Sequence, residues 1–282
     1  MNSLKEAQRE RLFYLEFLAL FTGQVSRKDL VIRFGISEAA ATKDISYYVE
    51  VTTDVINYDL RKKCYQFTGG KTYFNYDVDQ VLFSLAGERA IAIDPEHAKR
   101  LLSWVDTSIK RKVPLEIVAT ITRCIFQNRK LKAEYVSVSS GSKMRELSPV
   151  SIVHDGLRWH IRCYDHKNNE YRDYNLSRFK KVEDSGSSDI TLNDDDEWNN
   201  EVNLKLIPHP KLEHPETVIM DYDITGDAKY VNIKICLVGY FLRHWHIDYS
   251  EDAKGNPRAQ QLFLDNKNEL IEQGVDRWAF EL

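Results

Sequence analysis

From residue 155 the chain reads Asp155-Gly156-Leu157-Arg158-Trp159-His160-Ile161-Arg162-Cys163-Tyr164, a tight-turn dipeptide followed by strict alternation. An Asp-Gly pair readily takes the positive φ that a short hairpin needs. A period of two sends successive side chains to opposite faces of a strand. Trp159, Ile161 and Cys163 then form an apolar face, and Arg158, His160, Arg162 and Tyr164 a polar one. The same period extends outward. Tyr135, Ser137 and Ser139 alternate with Val136 and Val138 before the turn Ser140-Gly141, and a second strand is expected over 145–153. The hairpin at Asp155-Gly156 leads into a third strand over 157–164; the polar loop 165–169 precedes a fourth over 170–176. Short strands joined by tight turns predict a small barrel or a strongly curled sheet.

Two arginines and a histidine aligned on one strand face repel one another unless an acceptor or an anion lies there. The arginine fork favours phosphate or carboxylate. Tyr135 and Ser137 add hydroxyls from the neighbouring strand, and Arg172 and Arg178 add cations, so the polar face predicts a pocket for an anionic ligand, a nucleotide or nucleic acid. The competing reading pairs these cations with Asp173, Glu170 and Glu146 on a solvated sheet.

Upstream the period is helical. Leu12, Leu15 and Leu18 lie beside Phe13, Phe17 and Phe21 in a helix over 5–22 that Gly23 ends. Ser26, with Asp29 three residues on, opens a second helix ending at Gly35, and Ser37 caps a third running to about Tyr48. Two helices joined by a turn form a helix-turn-helix. Strands over 55–58 and 64–67 then flank the basic tip Arg61-Lys62-Lys63, which reads as a wing placed to meet phosphates. The N-terminal part of the third helix would enter the major groove. Candidate DNA contacts are Ser37, Thr42, Lys43, Ser46 and Tyr47, with Arg61, Lys62 and Lys63 from the wing.

The remainder divides by composition. Residues 73–130 read as a helical connector, with Ile117, Ile121 and Ile125 at spacing four. Residues 184–201 are acidic and poor in apolar side chains, as in a linker, and 200–282 read as a small α/β module with strands over 218–222 and 231–237. The expected organisation is thus multidomain α+β: 1–72 for DNA binding, 73–130 as connector, 131–186 as sensor and 200–282 as C-terminal extension. Net charge is −4, but 1–72 carry 11 Lys+Arg against 9 Asp+Glu, 73–183 carry 19 against 14, and 184–282 carry 9 against 20. Phosphate contacts are local, so the first two thirds would hold any nucleic acid.

Other chemistries fit poorly. The longest apolar run, 235–242, is far short of the ~20 residues that span a membrane. The charged N-terminus lacks the apolar stretch of a signal peptide, and a cytoplasmic protein is expected. Cys64, Cys124, Cys163 and Cys236 are scattered, without a paired-cysteine motif. His160 and Cys163 face opposite sides of one strand and do not converge with His166 on a metal. Gly69-Gly70-Lys71-Thr72 would need a glycine where Tyr65 stands to form a phosphate-binding loop. Asn193–Glu197 lacks the glycine and distal glutamate of a calcium loop. No nucleophile or metallohydrolase signature is present, so neither an enzyme nor a cofactor is expected. A nucleic-acid-binding subunit or scaffold is the alternative to a regulator.

FGISEAAATKDISYY (34–48), ELSPVSIVHDGLRWHIRCYDHKNNEYRDYNLSRFKKVE (146–183), LIPHPKLEHPETVIMDYDITG (206–226) and VGYFLRHWHIDY (238–249) together resemble WYL-domain transcriptional regulators, in the branch that controls bacterial anti-phage defence islands, the BrxR and CapW type. The triplet Trp159-His160-Ile161 stands where the namesake Trp-Tyr-Leu would be. The resemblance implies a winged helix-turn-helix, an Sm-like barrel and a C-terminal dimerisation extension. It also implies a homodimer on palindromic double-stranded operator DNA, repression of a neighbouring operon, and release by an anionic nucleotide or nucleic-acid signal. Carried onto this chain, the ligand positions are Tyr135, Ser137, His160, Arg162, Arg172 and Arg178.

Overall fold

The structure, a computed structural model, describes residues 5–85 and 111–281. Of the helical connector expected over 73–130, residues 86–110 lie outside the described residues, and helices flank them on both sides. The chain divides into two compact units, one of Met1–Pro149, Asp165–Asn169 and Leu176–Ser188, the other of Val150–Tyr164, Glu170–Asn175 and Asp189–Leu282.

The first unit opens with the expected helix-turn-helix. Helix α1 (Glu6–Thr22) ends at Gly23, whose φ of 84° places it in the left-handed region. Strand β1 (Gln24–Val25) leads into α2 (Arg27–Phe34), opened by the Ser26–Asp29 capping box, and α3 (Glu38–Val51) follows, with the Ser37 hydroxyl accepting from Ala40 N. Strands β2 (Ile56–Asp59) and β3 (Cys64–Phe67) make the wing, and the sheet order is β1-β3-β2. Helix α4 spans Val78–Leu85. Leu12, Leu15, Ala19, Leu30, Ala41, Ile45 and Tyr48 form a buried core between the helices. Helix α5 (Leu115–Phe126) docks against α1: Arg123 donates to the Leu20 carbonyl at 2.9 Å and Gln127 to the Thr22 carbonyl at 3.1 Å.

The middle strands are β4 (Arg129–Ser137), β5 (Gly141–His154), β6 (Trp159–Asp165), β7 (Glu170–Asn175) and β8 (Phe179–Ser187), in the order β7-β6-β5-β4-β8. β4 pairs antiparallel with β5, Leu131 opposite Leu147, and with β8, Ala133 opposite Val182. Among the described residues this order has two ends and does not close into a barrel.

In the second unit, α6 (Asp196–Asn199) leads into β9 (Glu201–Pro208). Helix α7 (Pro215–Asp221), β10 (Lys229–Lys234), α8 (Val238–His244), β11 (Leu262–Leu264) and α9 (Lys267–Glu272) complete it, with sheet order β10-β9-β11. Leu204, Leu206, Val218, Val238, Leu242, Leu264 and Leu270 are the centre of its core.

Two expectations change here. Residues 218–222, read as a strand, lie mostly in α7: Pro215 at its first turn pre-sets the helical φ, and only Val218 is buried while Met220 is 81% exposed. The acidic stretch 184–201, read as a linker, is folded. β8 runs to Ser187, Thr191 and Asp194 form a second capping box, and Asp195 caps α6. No helix among the described residues is long and apolar enough to cross a membrane.

Candidate nucleic-acid interface and sensor site

The face that α3 turns to solvent is built by the residues it hides. Ala41, Asp44, Ile45 and Tyr48 point inward. Asp44 is 2% exposed and accepts from Arg11 Nε at 2.6 Å and Gln8 Nε2 at 3.0 Å, which clamps α3 to α1. Glu16, fully buried, accepts from the Tyr48 hydroxyl at 2.5 Å, Tyr73 N at 2.6 Å, Phe74 N at 2.9 Å and the Tyr76 hydroxyl at 3.0 Å. Burial, then the contact with Glu16, raises the pKa of both tyrosines and keeps them as donors. One carboxylate thus ties α1, α3 and the segment after the wing together.

With that face fixed, Ser37, Thr42, Lys43 and Ser46 are exposed and Tyr47 is half-buried. Thr42 Oγ1 donates back to the Glu38 carbonyl at 2.9 Å, and Ser37 is engaged as the helix cap. The wing tip is organised by Asp59, whose Oδ1 accepts from Arg61 N at 2.8 Å and Lys62 N at 3.1 Å. Those two amides lower the Asp59 pKa. Lys63 has a φ of 55°, which turns the chain back into β3 and leaves Arg61, Lys62 and Lys63 exposed. The face and the tip together form a surface able to bind a phosphate backbone and present donors to base edges.

The expected sensor residues are distributed differently. In the first unit, Tyr135 is 6% exposed and lies edge-on to Phe179, with ring centroids 5.0 Å apart. Ser137 Oγ is 3.1 Å from Ser139 Oγ, and Arg178 ends a short 3-10 turn before β8. In the second unit, β6 is buried on both faces. The polar face expected to be open is closed, because carboxylates cover it.

Asp155 is the first of these carboxylates. It accepts from Leu157 N at 2.8 Å and Arg158 N at 2.7 Å, and its Oδ2 meets His160 Nε2 at 2.8 Å and the Arg158 guanidinium at 3.5 Å. Burial raises its pKa, but His160 and the two amides outweigh that and hold it well below the carboxylate range. The His160 ring packs on Tyr240 at 4.6 Å.

Arg162 is the second centre and is 2% exposed. Its Nε and Nη2 donate to the two oxygens of Asp195 at 2.7 and 2.9 Å. Nη2 also donates to Glu197 at 2.7 Å, and Nη1 is 3.6 Å from Asp173. Burial opposes the charge, yet Asp195, Asp173 and Glu197 together raise the pKa and keep Arg162 cationic. Arg172, exposed, pairs with Glu170 as the competing reading supposed. The structure therefore joins Arg158 to His160 through Asp155, seats Arg162 among three acids, and leaves Arg172 at the surface. Asp155, Asp195 and Glu197 were missed. Asp155 was read only as a turn residue, and the other two as solvated charge. His166, part of the dismissed metal trio, bonds instead to Ser148 Oγ at 2.8 Å.

Comparison with known proteins gives this geometry a context. Residues 7–81 match the BrxR transcriptional regulator winged helix-turn-helix domain, 116–184 the WYL domain, and 201–270 the BrxR transcriptional regulator C-terminal dimerization domain. The DNA-binding transcriptional repressor CapW of Escherichia coli (strain KTE188) is 31% identical over 275 residues, covering 93% of this chain and 90% of that protein. The chain belongs to the BrxR/CapW family of WYL-domain transcriptional regulators. CapW of Pseudomonas aeruginosa is 31% identical over 277 residues, covering 93% of this chain and 90% of that protein, and CapW of Stenotrophomonas maltophilia is 26% identical over 280 residues, covering 95% and 93%. As a BrxR/CapW regulator the chain belongs with transcription factors and not with enzymes, and its α3 face and wing lie within the segment that matches the winged-helix domain.

Proposed function

We propose that this protein is a homodimeric repressor that binds a palindromic operator beside its own gene, in a phage-defence operon in the cytoplasm. In this reading the WYL domain, an Sm-like fold, senses an anionic nucleotide or nucleic-acid ligand through residues of β6 and its neighbours, and the C-terminal domain holds the dimer. The observation that carries the DNA-binding part is the pairing of an exposed α3 face, Thr42, Lys43 and Ser46, with a wing tip of three exposed cations. The relatives named as DNA-binding repressors and the match to a dimerization domain support the rest of the regulator reading.

The sensor part rests on chemistry. Arg162 holds its fork in the geometry that binds a carboxylate or a phosphate through two parallel hydrogen bonds. A reporter fused to the promoter upstream of the gene tests the function. Supplying the protein in trans should lower expression, and the Lys43→Ala/Arg61→Ala variant should restore it. Equal expression with and without the protein would contradict the proposal.

A further inference from the structure

The anion-binding fork of Arg162 already has an occupant, the chain's own acidic turn. We propose that residues 191–199 form a strap whose Asp195 and Glu197 stand in for a phosphate-bearing ligand, and that the ligand acts by exchanging with them. The inference rests on the sensor reading above and specifies how that site is regulated.

Three observations carry it. First, the contact is ligand-like. The two oxygens of Asp195 meet Nε and Nη2 at 2.7 and 2.9 Å, the side-on geometry that two oxygens of a phosphate also satisfy.

Second, the site has more acid than one guanidinium can satisfy. Asp173, Asp195 and Glu197 all approach Arg162. Asp173 Oδ1 is buried without a hydrogen-bond partner, and burial raises the Asp173 pKa from its ordinary value against the lowering pull of Arg162, His160 and the Tyr240 hydroxyl. Glu197 reaches in from the solvent side, with its side chain 36% exposed. It is the acid that a solvent-borne anion would replace first.

Third, the strap leads directly to another element. Beyond Arg162, the Tyr171 hydroxyl donates to the Thr191 carbonyl at 2.8 Å, and Lys234 Nζ donates to the Trp198 carbonyl at 2.7 Å. Asp195 accepts from Trp198 N at 3.2 Å, so the residue that fills the fork also caps α6. Asn200 separates α6 from β9, the central strand of the C-terminal sheet. Release of Asp195 would remove that cap and slacken the entry to β9, which gives the exchange a route into the domain matched to dimerisation.

The test uses the full chain with fluorescein-labelled pentathymidylate as probe, read by anisotropy, and thymidine 5′-monophosphate as competitor. The winged helix is the same in every variant, so ratios between variants report the strap. Glu197→Gln keeps size and hydrogen bonding and should tighten probe binding about threefold. Asp195→Asn/Glu197→Gln should tighten it about tenfold, with hydrogen exchange over 189–200 rising when the probe binds the unchanged protein. Displacement by the monophosphate would support the inference with a mononucleotide as ligand; tightened binding that the monophosphate does not displace would support it with a strand as ligand. Equal affinity in all three proteins, with exchange over 189–200 unchanged, would overturn the strap and leave the sensor reading intact. No binding by the double variant would overturn both, because a fork relieved of its two competing charges must take the anion.

Discussion

Glu16 sits among four donors with no water-facing oxygen, so its removal leaves two hydroxyls and two amides to be desolvated without partners. Each unsatisfied buried polar group costs about 1–3 kcal/mol. Glu16→Leu is therefore expected to cost about 3 kcal/mol or more, and Tyr48→Phe, which removes one donor, about 1 kcal/mol. Thermal melting followed by circular dichroism checks the order, and equal losses would contradict the clasp. Asp155 gives a pH signature. A depressed carboxylate pKa contributes stability while the pH is above the unfolded value near ~3.9, and that contribution is lost as pH falls through the folded value. The stability gap between the unchanged protein and Asp155→Asn should be widest near neutral pH and narrow as pH falls below about 4. A gap constant from neutral to acid pH would contradict the account. Glu16 could not be read from the sequence in its role, and Asp155, two to five positions from its partners, was legible only as a turn residue. Glu16 finds its partners 32 to 60 positions away; of the three acids at Arg162, Asp173 was within reach of the sequence reading, but Asp195 and Glu197 lie 33 and 35 positions away. Alternation identified which side chains share a face of β6, but a closed polar face and an open one have the same pattern.

At the scale of elements, local chemistry was legible. The Ser26–Asp29 box, the Ser37 cap and the glycines after α1 and α2 each act within a few residues, so the helix-turn-helix emerged with its boundaries nearly correct. The strand reading at 218–222 failed because Val218, Ile219 and Met220 are consecutive apolar residues that suit either period, and Pro215 was the neglected signal. β8 was missed because its residues are mostly exposed and charged, and its pairing with β4 decides its structure. The winged helix-turn-helix yields two predictions. Lys43→Ala and Arg61→Ala should each weaken operator binding several-fold, and loss of a phosphate contact should reduce the salt slope by about 1. Unchanged affinity and slope in both would remove the proposed surface. Gly70 closes the wing with a φ of 83°, and a Cβ there would lie 2.6 Å from the Thr53 carbonyl oxygen. Gly70→Ala should cost at least about 1 kcal/mol, through left-handed strain added to a backbone clash. A melting temperature matching that of the unchanged protein would contradict this.

At the scale of the molecule, the match to a dimerization domain points to two copies acting together. A helix-turn-helix dimer reads two half-sites about one helical turn, or a multiple of it, apart. A ligand can loosen that grip only by its differential affinity for the two arrangements of the dimer. Fluorescence anisotropy with the duplex upstream of the gene tests the central claim most directly, at two salt concentrations and with random duplex as competitor. The account predicts tight binding that survives the competitor and weakens with salt, with a stoichiometry of two chains per site. Binding equal to that of random DNA would leave only the non-specific electrostatic term and would contradict it.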